Sequence, residues 1–424
     1  MNICMMTNTY LPHVGGVARS VSTFAEEYRK RNHQVLVVAP EFQGRRLSKQ
    51  AAAIVERVAA IQNFNGSDFS VRLPLAAALS ARLDAFKADI IHAHHPFLLG
   101  DTALRVGAAK NVPVIFTHHT RYEDYTHYVP FDSPALKEIA INLSTEFANL
   151  CDGVIAPSES IARLIKKRGV TSPIRIVPTG IDVQAFAEGE GTRFREKLAI
   201  PARAFVIGHV GRLAPEKNLA YLADAVALFI KKTPNTRFLV VGGGPSEDAI
   251  KTVFEKHGVA RKLILAGKHT GPALADAYNA MDVFAFASLT ETQGMVLAEA
   301  MAAGRPVVAL NAPGVREVMR HEKNGFMLPV RASAKMFSAH LALLHAEPAL
   351  RRSFSREARL TAEKFSREHC AEQALAFYED VRKATRRQRL ITQQNPWGTF
   401  LDRVEVEWKL IAEKVQAVTH AIVA

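Results

Sequence analysis

Two uninterrupted apolar runs, Val283–Ala287 and Val307–Leu310, bracket the stretch Ser288–Gly304 (SLTETQGMVLAEAMAAG). Short runs without polar alternation mark strands buried on both faces, and such strands lie in parallel sheets covered by helices. The stretch between them reads as a polar loop followed by a helix. That helix should open near Gln293-Gly294, run through Met295–Met301 and stop at Gly304, with Pro306 beyond it. A strand–loop–helix–strand unit needs a crossover connection, which places the chain in the α/β class.

The same grammar recurs along the chain. Asn2–Thr7, His33–Pro40, Asp89–Ala93, Val112–Thr117, Gly153–Pro157 and Arg175–Pro178 are expected strands of a first sheet. Phe205–Val210, Phe238–Gly244 and Leu263–Ala266 join the two runs above in a second. Thr179–Thr192, rich in Gly, Glu and Asp, reads as the linker. At 424 residues, two domains are the natural division. The expected division is one Rossmann-like domain over 1–185 and a second over 186–366. A C-terminal helix over 367–390 returns to the first domain, and 391–424 form a helical tail. Residues 41–72 mix Arg45, Arg46, Lys49 and Arg57 with apolar side chains. They read as a basic amphipathic helix, on a membrane surface or simply on the protein surface.

Ligands of open α/β sheets gather beyond the carboxyl ends of the strands, so the residues there are the candidates. Gly15-Gly16 follows the first strand, and small residues there let a backbone amide approach a phosphate; a plain tight turn is the alternative. His92, His94, His95, His118 and His119 end two strands, where imidazoles suit acceptor activation or stabilisation of developing charge. No cysteine or carboxylate recurs at zinc spacing beside them. Tyr122, Tyr125 and His127 follow, and offer an acceptor wall or merely a helix cap. Arg212 and Lys217 sit where they could clamp a diphosphate. Glu291 lies in the loop before its helix and Glu299 on that helix; they suit sugar hydroxyls and a ribose diol, or a cap and a solvated face.

Charge narrows the partners. The 54 Lys and Arg against 41 Asp and Glu give a net charge of +13, with the excess concentrated after residue 190. That suits anionic ligands or an anionic membrane surface. No nucleic-acid module accompanies it, so nucleic acid is not expected as a partner. Three scattered cysteines fit a reducing cytoplasm, and no apolar run is long enough to span a bilayer.

The Gly15-Gly16 pair, His119-Thr120, Gly211-Arg212-x4-Lys217-Asn218 and Glu291-x7-Glu299, in this order, resemble the retaining GT-B glycosyltransferases of family 4 over residues 1 to about 385. Within that family, 117–130 and 290–300 look like the bacterial diacylglycerol glycosyltransferases. The resemblance implies two doubly wound domains facing each other across a cleft. It implies transfer of a hexose, with retention, from a nucleoside diphosphate sugar, a UDP-sugar foremost, to a diacylglycerol-type lipid. The enzyme would be peripheral on the inner face of the cell membrane. Gly16, Arg212 and Lys217 would hold the diphosphate; Glu291, Gln293, Gly294 and Met295 the donor sugar; Glu299 the ribose. His119 and Glu291 would be catalytic, with no metal and no cofactor beyond the sugar nucleotide. Phosphatidylinositol or a soluble sugar as acceptor, a nucleotide-sugar 2-epimerase of the same fold, and a non-catalytic sugar-nucleotide binder are the competing expectations.

Overall fold

The computed structural model describes residues 1–12, 15–41, 52–58, 60–61, 71–72, 77–123 and 133–392. Tyr125, His127 and the tail from 393 onward lie outside the described residues. The density of contacts divides the chain into two units: Met1–Gly180 with the residues from Cys370 onward, and Ile181–His369.

The first unit is built on β1 (Asn2–Met6), β2 (Gln34–Pro40), β3 (Val55–Val58), a small antiparallel pair β4 (Ala60–Ile61) and β5 (Val71–Arg72), β6 (Ile90–Ala93), β7 (Val114–Thr117), β8 (Gly153–Ala156) and β9 (Ile174–Ile176). Its main sheet is parallel throughout, in the order β3-β2-β1-β6-β7-β8-β9. Side chains alternate across a strand with period two, and the packing follows it. Ile3 and Met5 pack under Val21, Phe24 and Tyr28 of the helix Gly16–Lys30, and under Phe377 and Tyr378 of the C-terminal helix. Cys4 and Met6 face Leu99, Ala103 and Phe147 on the other side. Because both faces are buried, both residue parities must be apolar, which explains the uninterrupted runs.

The second unit repeats the plan with β10 (Phe205–Val210), β11 (Thr236–Val241), β12 (Leu263–Gly267), β13 (Val283–Phe286), β14 (Val307–Leu310) and β15 (Gly325–Leu328). They are ordered β12-β11-β10-β13-β14-β15, again all parallel. In each sheet the chain winds outward from a central strand and then returns to that strand's other side. The reversal falls between β1 and β6 in one unit, and between β10 and β13 in the other. These switch points are where such sheets leave a crevice.

Several expectations need correction. Residues 41–72 do not form one amphipathic helix: Val55–Val58 is a strand paired with β2, because Val55 and Val58 extend the apolar sheet edge. The strand expected over Phe238–Gly244 stops at Val241, where three glycines turn the chain. The linker Thr179–Thr192 holds the helix Val183–Ala187 and the start of another at Gly191. The C-terminal helix runs Arg367–Thr392, separated from the helix Pro348–Ala362 by a break at Glu363–Ser366. β15 had no counterpart in the sequence reading.

The C-terminal helix is tied into the first sheet by a buried polar chain. The Tyr378 hydroxyl lies 2.9 Å from that of Tyr28 and 2.5 Å from His92 Nδ1, and His92 Nε2 lies 2.6 Å from Thr117 Oγ1. All four residues are buried. Tyr378→Phe removes the middle link and strands two buried polar atoms, and should destabilise the protein by about 1–3 kcal/mol. A denaturant midpoint equal to wild type would contradict that role.

Candidate functional site

At the switch point of the second sheet, the loop after β10 is stitched to the loop after β11. Leu213 donates its amide to the Gly243 carbonyl (3.1 Å), and Ser246 donates to the Leu213 carbonyl (2.8 Å). Gly242, at φ 149°, is required there, since a Cβ would overlap the Gly211 carbonyl oxygen. This platform carries Arg212, whose guanidinium pairs with Glu216. A 3-10 turn, Pro215–Lys217, follows, so Lys217 precedes the helix Leu219–Lys232 instead of opening it. Asn218, with φ 55°, reverses the chain and donates to the Ala287 carbonyl at the end of β13.

Lys217 and Glu291 meet here. Lys217 Nζ lies 2.6 Å from Glu291 Oε1, with the side chains only 18% and 20% exposed. One charge comes from beyond β10 and the other from beyond β13, so the pair spans the crevice position of the sheet. Glu291 is held from behind by Gly314, whose φ of 77° and missing side chain let the two loops touch. A Cβ on Gly314 would stand 2.6 Å from that of Glu291. Gly314→Ala should therefore displace Glu291 and cut activity at least tenfold, since a misplacement of about an ångström at a site can cost a hundredfold. Unchanged turnover in that variant would show that the position of Glu291 is immaterial.

The helix expected over this stretch runs Met295–Ala302, with Gly294 as its left-handed N-cap and no side-chain cap; the Leu297 and Ala298 amides donate to the Gly294 carbonyl. Gln293 is buried beside it. Glu299 is 1% exposed, which rules out a solvated face, and its Oε2 accepts a 2.7 Å hydrogen bond from the Tyr278 hydroxyl. The sequence reading passed over His209 on β10. Its Nδ1 lies 3.2 Å from the Ala285 carbonyl oxygen, and its ring runs near-parallel to those of Phe284 and Phe286, 6.2 and 6.0 Å away between centroids. Burial holds its pKa down at about 4. A lone histidine inside FVIGHV was the available signal, as the glycine triplet after β11 was for the platform.

In the first unit, the carboxyl ends of β1, β6 and β7 bring Thr7-Asn8, His94-His95 and His118-His119 together. His95 Nδ1 accepts from the Asn8 amide at 3.1 Å. His94 Nδ1 lies 2.9 Å from His119 Nε2, and the His94 ring also lies against that of His92, 4.0 Å between centroids and tilted by 38°. Burial pushes His92 to about 3 and both His95 and His118 to about 4. It also holds His94 and His119 well below 6.5, with the neighbouring histidines adding repulsion. At neutral pH the cluster is a set of neutral imidazoles. Among the described residues no group of three or more His, Cys, Asp or Glu is placed to hold a metal ion.

Gly16 opens the helix Gly16–Lys30, and a Cβ there would meet nothing within 4 Å among the described residues. Packing among the described residues therefore does not demand glycine at that point. Tyr122 turns its hydroxyl inward, without a partner among the described residues, and its ring packs against Phe97 and His118. It supports the cluster and does not present a polar wall. His119 belongs to the first unit, and Arg212, Lys217, Glu291 and Glu299 to the second.

Two doubly wound parallel sheets in one chain, with charged and imidazole groups gathered at the strand ends, are the architecture of the GT-B fold. The UDP complex of Anabaena Alr3699/HepE shares this fold: it superposes with a TM-score of 0.69 at 21% identity, covering 90% of this chain and 100% of that one. The chain belongs to glycosyltransferase family 4, residues 14–185 matching the model Glycosyltransferase Family 4 and residues 191–361 the model Glycosyl transferases group 1. It is 26% identical over 392 residues to an alpha-monoglucosyldiacylglycerol synthase of Acholeplasma laidlawii, covering 90% of this chain and 97% of that enzyme. It is 27% identical over 333 residues to a GDP-mannose-dependent alpha-mannosyltransferase of Mycobacterium tuberculosis, covering 78% and 84%.

Proposed function

We propose that this glycosyltransferase moves a hexose, with retention of configuration, from a UDP-sugar to a diacylglycerol-type lipid at the cytoplasmic face of a membrane. The observation that carries the reading is the Lys217–Glu291 pair at the switch point of the second sheet. A diphosphate arriving beside Lys217 offers it a stronger partner than a single carboxylate. Glu291 is then released to accept hydrogen bonds from the hydroxyls of the sugar.

Arg212 adds a second cation and the backbone of Gly16 a further amide. The amides at Gln293, Gly294 and Met295 stand at an uncapped helix start, which favours polar oxygens of the donor. Glu299 takes the ribose, and His119 hydrogen-bonds the transferred sugar. Departure of the nucleoside diphosphate builds negative charge at its leaving oxygen, and Arg212 and Lys217 stabilise that charge. The lipid acceptor is supported by the name of the Acholeplasma relative. Among the described residues no helix is long and apolar enough to cross a membrane, so lipid would be met from the membrane surface. A GDP-sugar is the second reading of the donor, favoured by the mannosyltransferase relative.

The test offers UDP- and GDP-hexoses with and without diacylglycerol vesicles, and reads products by mass spectrometry and their anomeric configuration by NMR. A glycolipid made from a UDP-hexose with the donor's anomeric configuration supports the proposal. Glycolipid formed only from a GDP-hexose would move the donor to the second reading. No glycolipid with any donor, or an inverted product, would overturn it.

A further inference from the structure

The contact between His94 and His119 fixes more than a position. The rings stack with centroids 5.2 Å apart and 23° between their planes, and His94 Nδ1 is 2.9 Å from His119 Nε2. Both imidazoles are neutral at neutral pH, so one nitrogen of the contact carries a proton and the other accepts it. If His119 donated from Nε2, His94 would carry its own proton on Nε2. That atom is fully buried and has no partner among the described residues. A buried N–H without an acceptor is the rarer and costlier state; an unused acceptor lone pair is better tolerated. The remaining arrangement has His94 donating from Nδ1 and His119 accepting at Nε2.

His94 is held to that orientation from both sides. Its amide donates to the Met6 carbonyl at 2.9 Å. Its ring lies against His92, which Tyr378 and Thr117 hold at its two nitrogens.

We propose that His94 is a positioning residue: its Nδ1–H fixes His119 as the Nδ1–H tautomer, so that His119 offers the sugar a hydrogen-bond donor and no proton acceptor. This rests on the reading of His119 as the imidazole that meets the transferred sugar. With its Nε2 lone pair engaged by His94, His119 donates to a hydroxyl oxygen of the sugar and does not serve as a general base.

The test is a long-range proton–nitrogen NMR spectrum of the full-length enzyme labelled with 15N-histidine, the His119 signals being identified by their loss in His119→Gln. The expected result is a proton on His119 Nδ1. In His94→Asn, whose amide nitrogen occupies the place of the imidazole Nδ1, the same tautomer and near-normal transfer are expected. In His94→Leu the preference should be lost, and kcat should fall roughly 10–100-fold with KM for the donor little changed. A proton on His119 Nε2 in the wild-type enzyme would overturn the proposal, as would full kcat in a folded His94→Leu. Should His94→Leu not fold, the wild-type spectrum and His94→Asn decide the matter. The spectrum needs no substrate, so a failure of lipid glycosylation leaves the tautomer result standing and counts against the functional reading alone.

Discussion

Lys217→Ala is expected to lower the turnover of sugar transfer by about 10²–10³-fold, the usual loss when one preorganised donor to a developing anion is removed. The melting temperature should move little. The Lys217–Glu291 pair is only partly shielded, with side chains about one fifth exposed, and a partly exposed pair contributes on the order of 1 kcal/mol to folding. That gap between a large kinetic and a small stability effect separates a binding role from a structural one. Glu291→Ala should give a similar kinetic loss through a different route, by leaving the sugar hydroxyls without their acceptor. Lys217→Arg, which keeps the charge, should recover part of the activity. A Lys217→Ala enzyme with wild-type turnover, or one whose lost activity matches a collapsed melting curve, would contradict the assignment.

Acid should destabilise the protein well before its carboxylates titrate. His92, His95 and His118 carry folded-state values of about 3, 4 and 4 because burial disfavours the imidazolium. In the unfolded chain the same groups take up protons near pH 6.5. Between pH 6.5 and about 4 the unfolded state therefore binds more protons, and stability falls as pH falls. Each unit of depression is worth about 1.4 kcal/mol, so several kcal/mol should be gone by pH 5. That is a large share of the roughly 5–15 kcal/mol a domain has. Melting curves from pH 7.5 to 5 should show the drop, and His118→Phe should flatten it. A midpoint that holds steady or rises over that range would contradict the neutral cluster.

The parallel sheets were legible because a strand buried on both faces leaves a distinctive signature, and Val283–Phe286 and Val307–Leu310 show it without interruption. The helix after Glu291 was legible from its glycine stops, and it runs Met295–Ala302. What escaped was decided by packing. The glycine triplet after β11 hinted at the contact made through Gly242, but nothing local marks Gly314 as a place where two loops must touch. Val55–Val58 looked helical because its charged neighbours, read in isolation, mimic an amphipathic face; only the exposed edge of β2 makes it a strand. The candidate residues were legible as types at strand ends. Their partners were not: the bond between Lys217 and Glu291 joins residues far apart in the chain, and so does that between His94 and His119.

The account stands on a nucleoside diphosphate lying at the carboxyl ends of β10 and β13. Calorimetric titration of UDP into the wild-type enzyme and into Lys217→Ala tests that placement without an acceptor or a product. The expected result is binding to the wild type that weakens as salt is raised, and a loss of roughly 10–100-fold in affinity when the ammonium is removed. Equal affinity in the two proteins would place the nucleotide elsewhere.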